Sequence, residues 1–255
     1  MKKILIFLVA MMVSVAGTAQ LQSVAYDDWF EEGNAAYNDG NYEQALTFYA
    51  QIVESGMESA DLYYNMGNTY YKMKEYPMSI LYYEKALKLS PGDEDIRTNL
   101  EIANLTVVDK INVIPQSFIV RWWNGVKSSL SSDGWAWVSI VSFALFLVCL
   151  FVFLMARRTA LRKAGFFVGM VVAICLVLSV VFAVQKHQDM IHQDEAIIMT
   201  PTVTVKSSPT VNSVDLFVLH EGTKVRITGT SNEWNKIRIA DGSVGWLQAE
   251  TMTAF

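Results

Sequence analysis

The chain has 255 residues, 52% of them hydrophobic, with two cysteines and a formal net charge of −5. That length holds a membrane hairpin and two small domains, each of which must rely on core packing because both cysteines fall elsewhere. Residues 20–108 carry 15 acidic and 5 basic side chains; phosphate binding needs clustered Lys and Arg, so nucleic acid is excluded as a partner.

Residues 1–19 have the layout of a signal peptide. Lys2 and Lys3 open it, residues 4–15 form the apolar run, and Gly17, Thr18 and Ala19 supply small side chains before a cut. Two readings stand, cleavage after Ala19 or an uncleaved signal anchor. Both export the chain from Gln20 onward.

Residues 20–109 are predicted to be an all-α repeat domain. Gly33 and Gly67 lie 34 residues apart, and so do Asn34 and Asn68, Tyr42 and Tyr76, and Tyr49 and Tyr83. The chain therefore resembles the tetratricopeptide repeat family, whose unit is two antiparallel helices, over repeats at about 26–59 and 60–93. The second copy is close to the pattern, with Tyr63, Met66, Gly67, Tyr70, Ser79, Tyr83, Ala86 and Pro91. The first has Trp29, Gly33, Ala45 and Tyr49, but Glu32 stands where a large apolar residue is usual. Pro91-Gly92 ends the second pair, since proline cannot continue a helix. A further helix over 93–108 is expected to cap the solenoid with Ile96, Leu100, Ala103 and Leu105, and the acids Asp93, Glu94 and Asp95 suit its N-terminal dipole.

The resemblance implies a shallow groove lined by the first helix of each pair. Its residues would be Asp27, Phe30, Asn34 and Tyr37, then Asp61, Tyr64, Asn68 and Tyr71, with Asp95 and Thr98 extending the first two rows. Asparagine can bond the backbone of an extended peptide through both carbonyl and amide, and aromatic rings add contact area at small entropic cost. The aspartate row favours a basic partner. The lysines and arginines that grip a terminal carboxylate in the family's carboxylate-clamp version are missing. The competing reading has the tyrosines packing internally and the acids solvating the surface.

Over 110–134, Pro115, Phe118, Ile119, Trp122, Trp123, Val126 and Leu130 recur at helical spacing, with Gln116, Arg121, Lys127 and Ser128 opposite. This predicts an amphipathic helix lying on the lipid bilayer or docked on a partner protein. Two charge-free runs come next, 135–155 and 165–184, each about 30 Å long as a helix. They predict a transmembrane hairpin, against the alternative of a buried helical hairpin. The turn over 156–164 holds Arg157, Arg158, Arg162 and Lys163 and no acid, so it is expected in the cytoplasm with both flanking domains across the membrane. Cys149 and Cys175 fall at different depths, which argues against a disulfide. The spans carry no ionisable residue, which favours an anchor over a transporter, with Ser139, Ser142, Gly169 and Ser179 as helix-packing positions.

After a polar connector at 185–195, the pattern switches to alternation. Val203 and Val205, Val225 and Ile227, and Ile237 and Ile239 are bounded by turns at Ser208-Pro209, Glu221-Gly222 and Asp241-Gly242. A small all-β barrel is predicted over 196–255. Val203-x-Val205-Lys206-Ser207-Ser208-Pro209, Leu219-x-x-Gly222 and Gly245-Trp246 resemble bacterial SH3-type domains. The resemblance implies binding of peptides or cell-wall glycans, or scaffolding alone. Trp234 and Trp246 are the candidate site, and Trp246 suits the core equally well.

No catalytic pattern is found. His187 and His192 are not aligned on one helix face and His220 precedes a turn, so neither a metal site nor a cofactor is expected. Phosphate-binding glycine loops, nucleophile elbows and zinc-protease motifs are lacking, and the chain is read as no enzyme. The whole order is a multidomain membrane protein: signal peptide, tetratricopeptide solenoid, two-helix transmembrane hairpin with a basic turn, SH3-like barrel. It is similar to the E component of the Bat aerotolerance operon of Bacteroidetes. That resemblance implies an inner-membrane protein with periplasmic domains. Its implied partners are other Bat-type membrane proteins, some with von Willebrand factor A domains, and indirectly a MoxR-type ATPase. Two functions are expected from this reading. One is a non-enzymatic scaffold linked to aerotolerance or envelope stress; the other is a sensor binding peptidoglycan through the SH3-like domain.

Overall fold

The structure is a computed structural model and describes residues 26–111, 117–191 and 194–255; the signal-peptide layout, Pro115, Gln116 and His192 lie outside them. Five helices come first: α1 (26–38), α2 (Tyr42–Glu54), α3 (Ala60–Lys72), α4 (Tyr76–Leu89) and α5 (Glu94–Asn104). Local chemistry sets their ends. Ser59 caps α3 by accepting from the Leu62 N–H, and Asp93 caps α5 by accepting from Asp95 and Ile96 N–H. The turn after α1 uses Gly40 at φ +79°, and the same turn one repeat later holds Lys74 at φ 67°, a left-handed backbone that costs a side-chain-bearing residue energy.

The two pairs pack through their glycines. A Cβ on Gly33 would lie 2.4 Å from the Tyr49 ring, and one on Gly67 would lie 2.6 Å from the Tyr83 ring. Around these contacts Ala45, Ile52, Leu62, Met66, Ile80 and Ala86 form a continuous buried core that Ile96, Leu100 and Ala103 of α5 extend. Gly67→Ala should therefore overpack this seam and destabilise the domain by about 1–3 kcal/mol. Gly92→Ala, whose Cβ would meet nothing within 4 Å, should leave the melting temperature unchanged.

Next come α6 (Phe118–Ser128), α7 (Ser132–Met155) and α8 (Thr159–Ile191). The last two are long and apolar enough to cross a membrane. They pack on one another through small residues: Ser139 Oγ lies 3.0 Å from Ser179 Oγ, and a Cβ on Gly165 would come 3.0 Å from the Cys149 carbonyl. Gly169 faces Cys149 as well. Both cysteines are free thiols, Cys149 buried and Cys175 exposed. The break between the helices covers only residues 156–158, so Arg162 and Lys163 ride on the first turn of α8, and α8 runs on past the apolar stretch. Most of the large apolar side chains of the pair are exposed, Phe151 at 64% and Val177 at 61%.

The C-terminal part is antiparallel: β1 (Glu195–Ile198), β2 (Thr202–Lys206), β3 (Asp215–His220), β4 (Lys224–Ser231), β5 (Trp234–Arg238), β6 (Val244–Gln248) and β7 (Met252–Ala254). They form one sheet in the order β3-β2-β6-β5-β4-β1-β7, folded over Ala196, Ile198, Val205, Leu219, Val225, Ile237 and Leu247. The expected barrel is not closed, because no ladder joins β3 to β7. α4 packs on the outer face of β1, the side to which Ile197 points while Ala196 and Ile198 face the sheet's own core.

That covering contact unites the two domains. Ile197 and Phe255 are buried within the helical core rather than the sheet's own. Lys88 Nζ donates to the Phe255 carbonyl at 2.7 Å and sits 4.8 Å from the centre of its ring. Lys224 Nζ bridges Glu84 at 2.9 Å and Glu195 at 2.8 Å. Asp109 accepts from the His220 N–H at 2.7 Å and the Thr223 hydroxyl at 2.7 Å, with its second oxygen 2.8 Å from His220 Nδ1. Burial pushes the Asp109 and Glu195 carboxyls up, but hydrogen bonds from His220 and Thr223 in one case and the Lys224 and Arg226 charges in the other outweigh it and hold both below their usual values. Burial pushes the Lys224 ammonium down, and the Glu84 and Glu195 charges outweigh that and raise it.

Depressed carboxyl values give stability that is present above their unfolded values, about 3.9 for Asp and 4.3 for Glu, and lost as pH falls through the folded ones. The raised Lys224 contribution is complete below its unfolded value of about 10.4 and is lost only as pH rises through the folded one. The docked state is thus expected to hold a plateau from about pH 5 to 9. Asp109→Asn should lower the melting temperature on that plateau, and its gap to the parent should narrow as pH falls below the ordinary aspartate value of about 3.9. Thermal melts followed by circular dichroism across this range check both limbs.

Candidate functional site

The groove is built by a network that repeats with the sequence. Asn34 Oδ1 accepts from the Tyr49 hydroxyl and from Asn65 Nδ2, both at 2.8 Å. One repeat on, Asn68 Oδ1 accepts from the Tyr83 hydroxyl at 2.7 Å and from Asn99 Nδ2 at 3.0 Å. Asn99 Nδ2 also donates to the Tyr64 hydroxyl at 2.9 Å. Ring contacts follow the same period: Phe30 on Tyr49 at 6.2 Å and Tyr64 on Tyr83 at 6.0 Å, then Tyr37 on Tyr42 and Tyr71 on Tyr76, both at 5.5 Å. Burial pushes the Tyr49 hydroxyl up to about 12 and raises Tyr83 and Tyr37 too, so these hydroxyls stay protonated and act as donors.

Four of the eight groove residues meet at one hollow. Tyr37, Tyr64, Asn68 and Tyr71 line a cavity of about 340 Å³ together with Lys72, Tyr83, Asn99 and Ile102. Phe30 and Asn34 are half-buried and engaged one repeat away on Tyr49, outside that hollow. Asp27 and Asp61 are exposed at the starts of their helices, as is Asp95. The asparagine carbonyls are committed inside the domain, and Tyr37, Tyr64, Asn68 and Tyr71 also line the hollow. Asn65 and Asn99, partners in the ladder, share the 34-residue spacing and were discoverable from it.

The β-domain offers a second hollow of about 500 Å³. Trp234 lines it with Thr202, Thr204, Lys206, Gln248 and Glu250. Trp246 lies opposite Lys206 and Lys236 in the ladders and is half-buried, while Leu247 beside it fills the core. Trp234 pairs with Gln248, so both tryptophans stand on the outer face of β5 and β6, with Trp246 outside the hollow. Among the described residues, no group of three or more His, Cys, Asp or Glu side chains is placed to hold a metal ion. His220, to which the sequence alone gives no role, belongs to the interdomain contact; its partner Asp109 is 111 positions away, beyond any local motif.

Comparison with known proteins bears on the helical half. No curated protein matches the chain. The tetratricopeptide repeat family model matches residues 60–93, which are α3, α4 and the Pro91-Gly92 turn. The chain carries a tetratricopeptide repeat at the position where the tyrosine-lined hollow opens.

Proposed function

We propose that the chain is a non-enzymatic, membrane-anchored scaffold that captures a protein partner in the groove of its repeats. The observation that carries this reading is the hollow ringed by Tyr37, Tyr64 and Tyr71 on a repeat of a family that works by holding protein segments. Its topology rests on the interdomain contact. Asp109 with His220, and Glu84 with Lys224, join residues before α7 to residues after α8. Two spanning helices return the chain to the side it left, so this contact supports one shared side for both domains. The basic residues Arg157, Arg158, Arg162 and Lys163 favour the cytoplasm for the turn and hence the periplasmic side of an inner membrane for the domains. The likeness in domain order to the Bat-operon E component suggests Bat-type membrane proteins as partners, with a MoxR-type ATPase further along and an aerotolerance or envelope-stress setting.

The hollow beside Trp234 favours a second reading. The SH3-like domain would bind peptidoglycan there, since an aromatic face ringed by threonine hydroxyls, Gln248 and Glu250 suits a saccharide.

A photo-crosslinking residue at Tyr71, used in native membranes and followed by mass spectrometry, separates the two. The scaffold reading expects a discrete protein adduct from Tyr71. An adduct with cell-wall material from the same probe at Trp234, and none from Tyr71, would move the function to the β-domain. Asn68→Ala would not serve as a binding-only variant, because it leaves the Tyr83 hydroxyl unpartnered inside the domain. It should cost about 1–3 kcal/mol in a thermal melt.

A further inference from the structure

One motif remains outside this reading, the tryptophan-rich helix between the repeats and the hairpin. On α6, Phe118 is 78% exposed, Ile119 74% and Trp122 59%, an apolar strip of a kind that soluble surfaces rarely carry contiguously. The helix is nevertheless fixed in place. Trp123 packs on Phe182 with ring centres 4.8 Å apart, Trp135 packs on the same ring at 4.8 Å, and Trp135 Nε1 donates to the Lys127 carbonyl at 3.0 Å. α6 is thus clamped to one particular level of the hairpin.

That level can be worked out from both helices. From Met155 back to Trp135 is twenty residues of helix, about 30 Å, the thickness of the hydrocarbon core. From Arg162 on to Phe182 is the same rise, again about 30 Å. The basic turn therefore marks one face of the hydrocarbon layer, and the Trp123–Phe182–Trp135 cluster marks the other. Trp137, two residues on along α7 and so about 3 Å away, is 67% exposed at nearly the same height, where tryptophan is favoured.

We propose that α6 lies in the headgroup layer of the bilayer, with Phe118, Ile119 and Trp122 buried in lipid. The occupant of this exposed strip is the membrane itself, because Trp123 and Lys127 clamp α6 to the end of the hairpin's exposed apolar surface, at the level where the acyl chains end. The inference rests on the reading of α7 and α8 as spans. α6 then keeps the docked domains close to the bilayer, since Ile111, packed on the β-domain core, precedes Phe118 by only seven positions.

Spin-label accessibility on the full chain tests this. Single cysteines at Ile119, Trp122, Arg121 and the mid-span Leu145, in a Cys149→Ala, Cys175→Ala background, are labelled in phosphatidylcholine vesicles containing phosphatidylglycerol. At Ile119 and Trp122, collisions with oxygen over those with a water-soluble nickel chelate should exceed the ratio at Arg121 several-fold, with a shallower depth than Leu145. Free collision with nickel at Ile119 and Trp122, with Leu145 still protected, overturns the proposal and leaves the spans intact. Shielding of both labels from oxygen and nickel alike overturns it in favour of a protein cover. Nickel access at Leu145 would remove the spans and this placement of α6 together.

Discussion

The placement of Lys224 between Glu84 and Glu195 joins two stretches of chain separated by the whole hairpin. Ion pairs that remain partly in water contribute little by themselves. The burial of Ile197 and Phe255 in the helical core supplies the apolar part of the contact, and the charges fix its register. Lys88 and Lys224 both lie against the Phe255 ring, at 4.8 and 5.4 Å from its centre, which brings the apolar and charged parts to one point. The helical domain and the β-domain are consequently one docked unit, so the hollow of one stands in a fixed relation to the hollow of the other.

The docking uses the outer face of the sheet. β1 lies between β4 and β7 in the strand order, with Ala196 and Ile198 turned to the sheet's own core and Ile197 turned outward to α4. Alternation in the sequence reveals which residues of a strand face inward, because side chains alternate locally. It carries no information on what covers an outward-facing residue such as Ile197, which depends on a helix of a different domain.

The same division runs through the site. The 34-residue period revealed the helical pairs and the recurrence of Gly33 with Gly67 and Tyr49 with Tyr83, since helical spacing repeats locally; that each glycine packs on the tyrosine of its own pair depends on how the two helices cross. The roles of Asn34 and Asn68 were half legible. Their place at the groove is set by periodicity, but whether a carbonyl is free depends on a donor from the next helix pair, Asn65 or Asn99. The Asp109–His220 contact had no local signal, and the length of α8 past the apolar run was hidden because polar residues can continue a helix as well as leave one.

The saturation of those carbonyls constrains what the groove can read. Each asparagine oxygen already accepts two hydrogen bonds, so what it offers a ligand is its amide, a donor. The Tyr37 hydroxyl stays protonated, and Lys72 at the same hollow is a donor alone. A segment held there meets donors on the floor, which suits the backbone carbonyls of an extended chain. Asp61 stands ten residues from Tyr71 on α3, about 15 Å away along the helix. The acidic row thus lies along the far rim and leaves the floor to the donors. On the scaffold reading proposed above, selection of a partner by charge and retention of its backbone are carried by different residues; the exposed Asp61 can be substituted without touching the ladder, whereas Asn34 and Asn68 cannot.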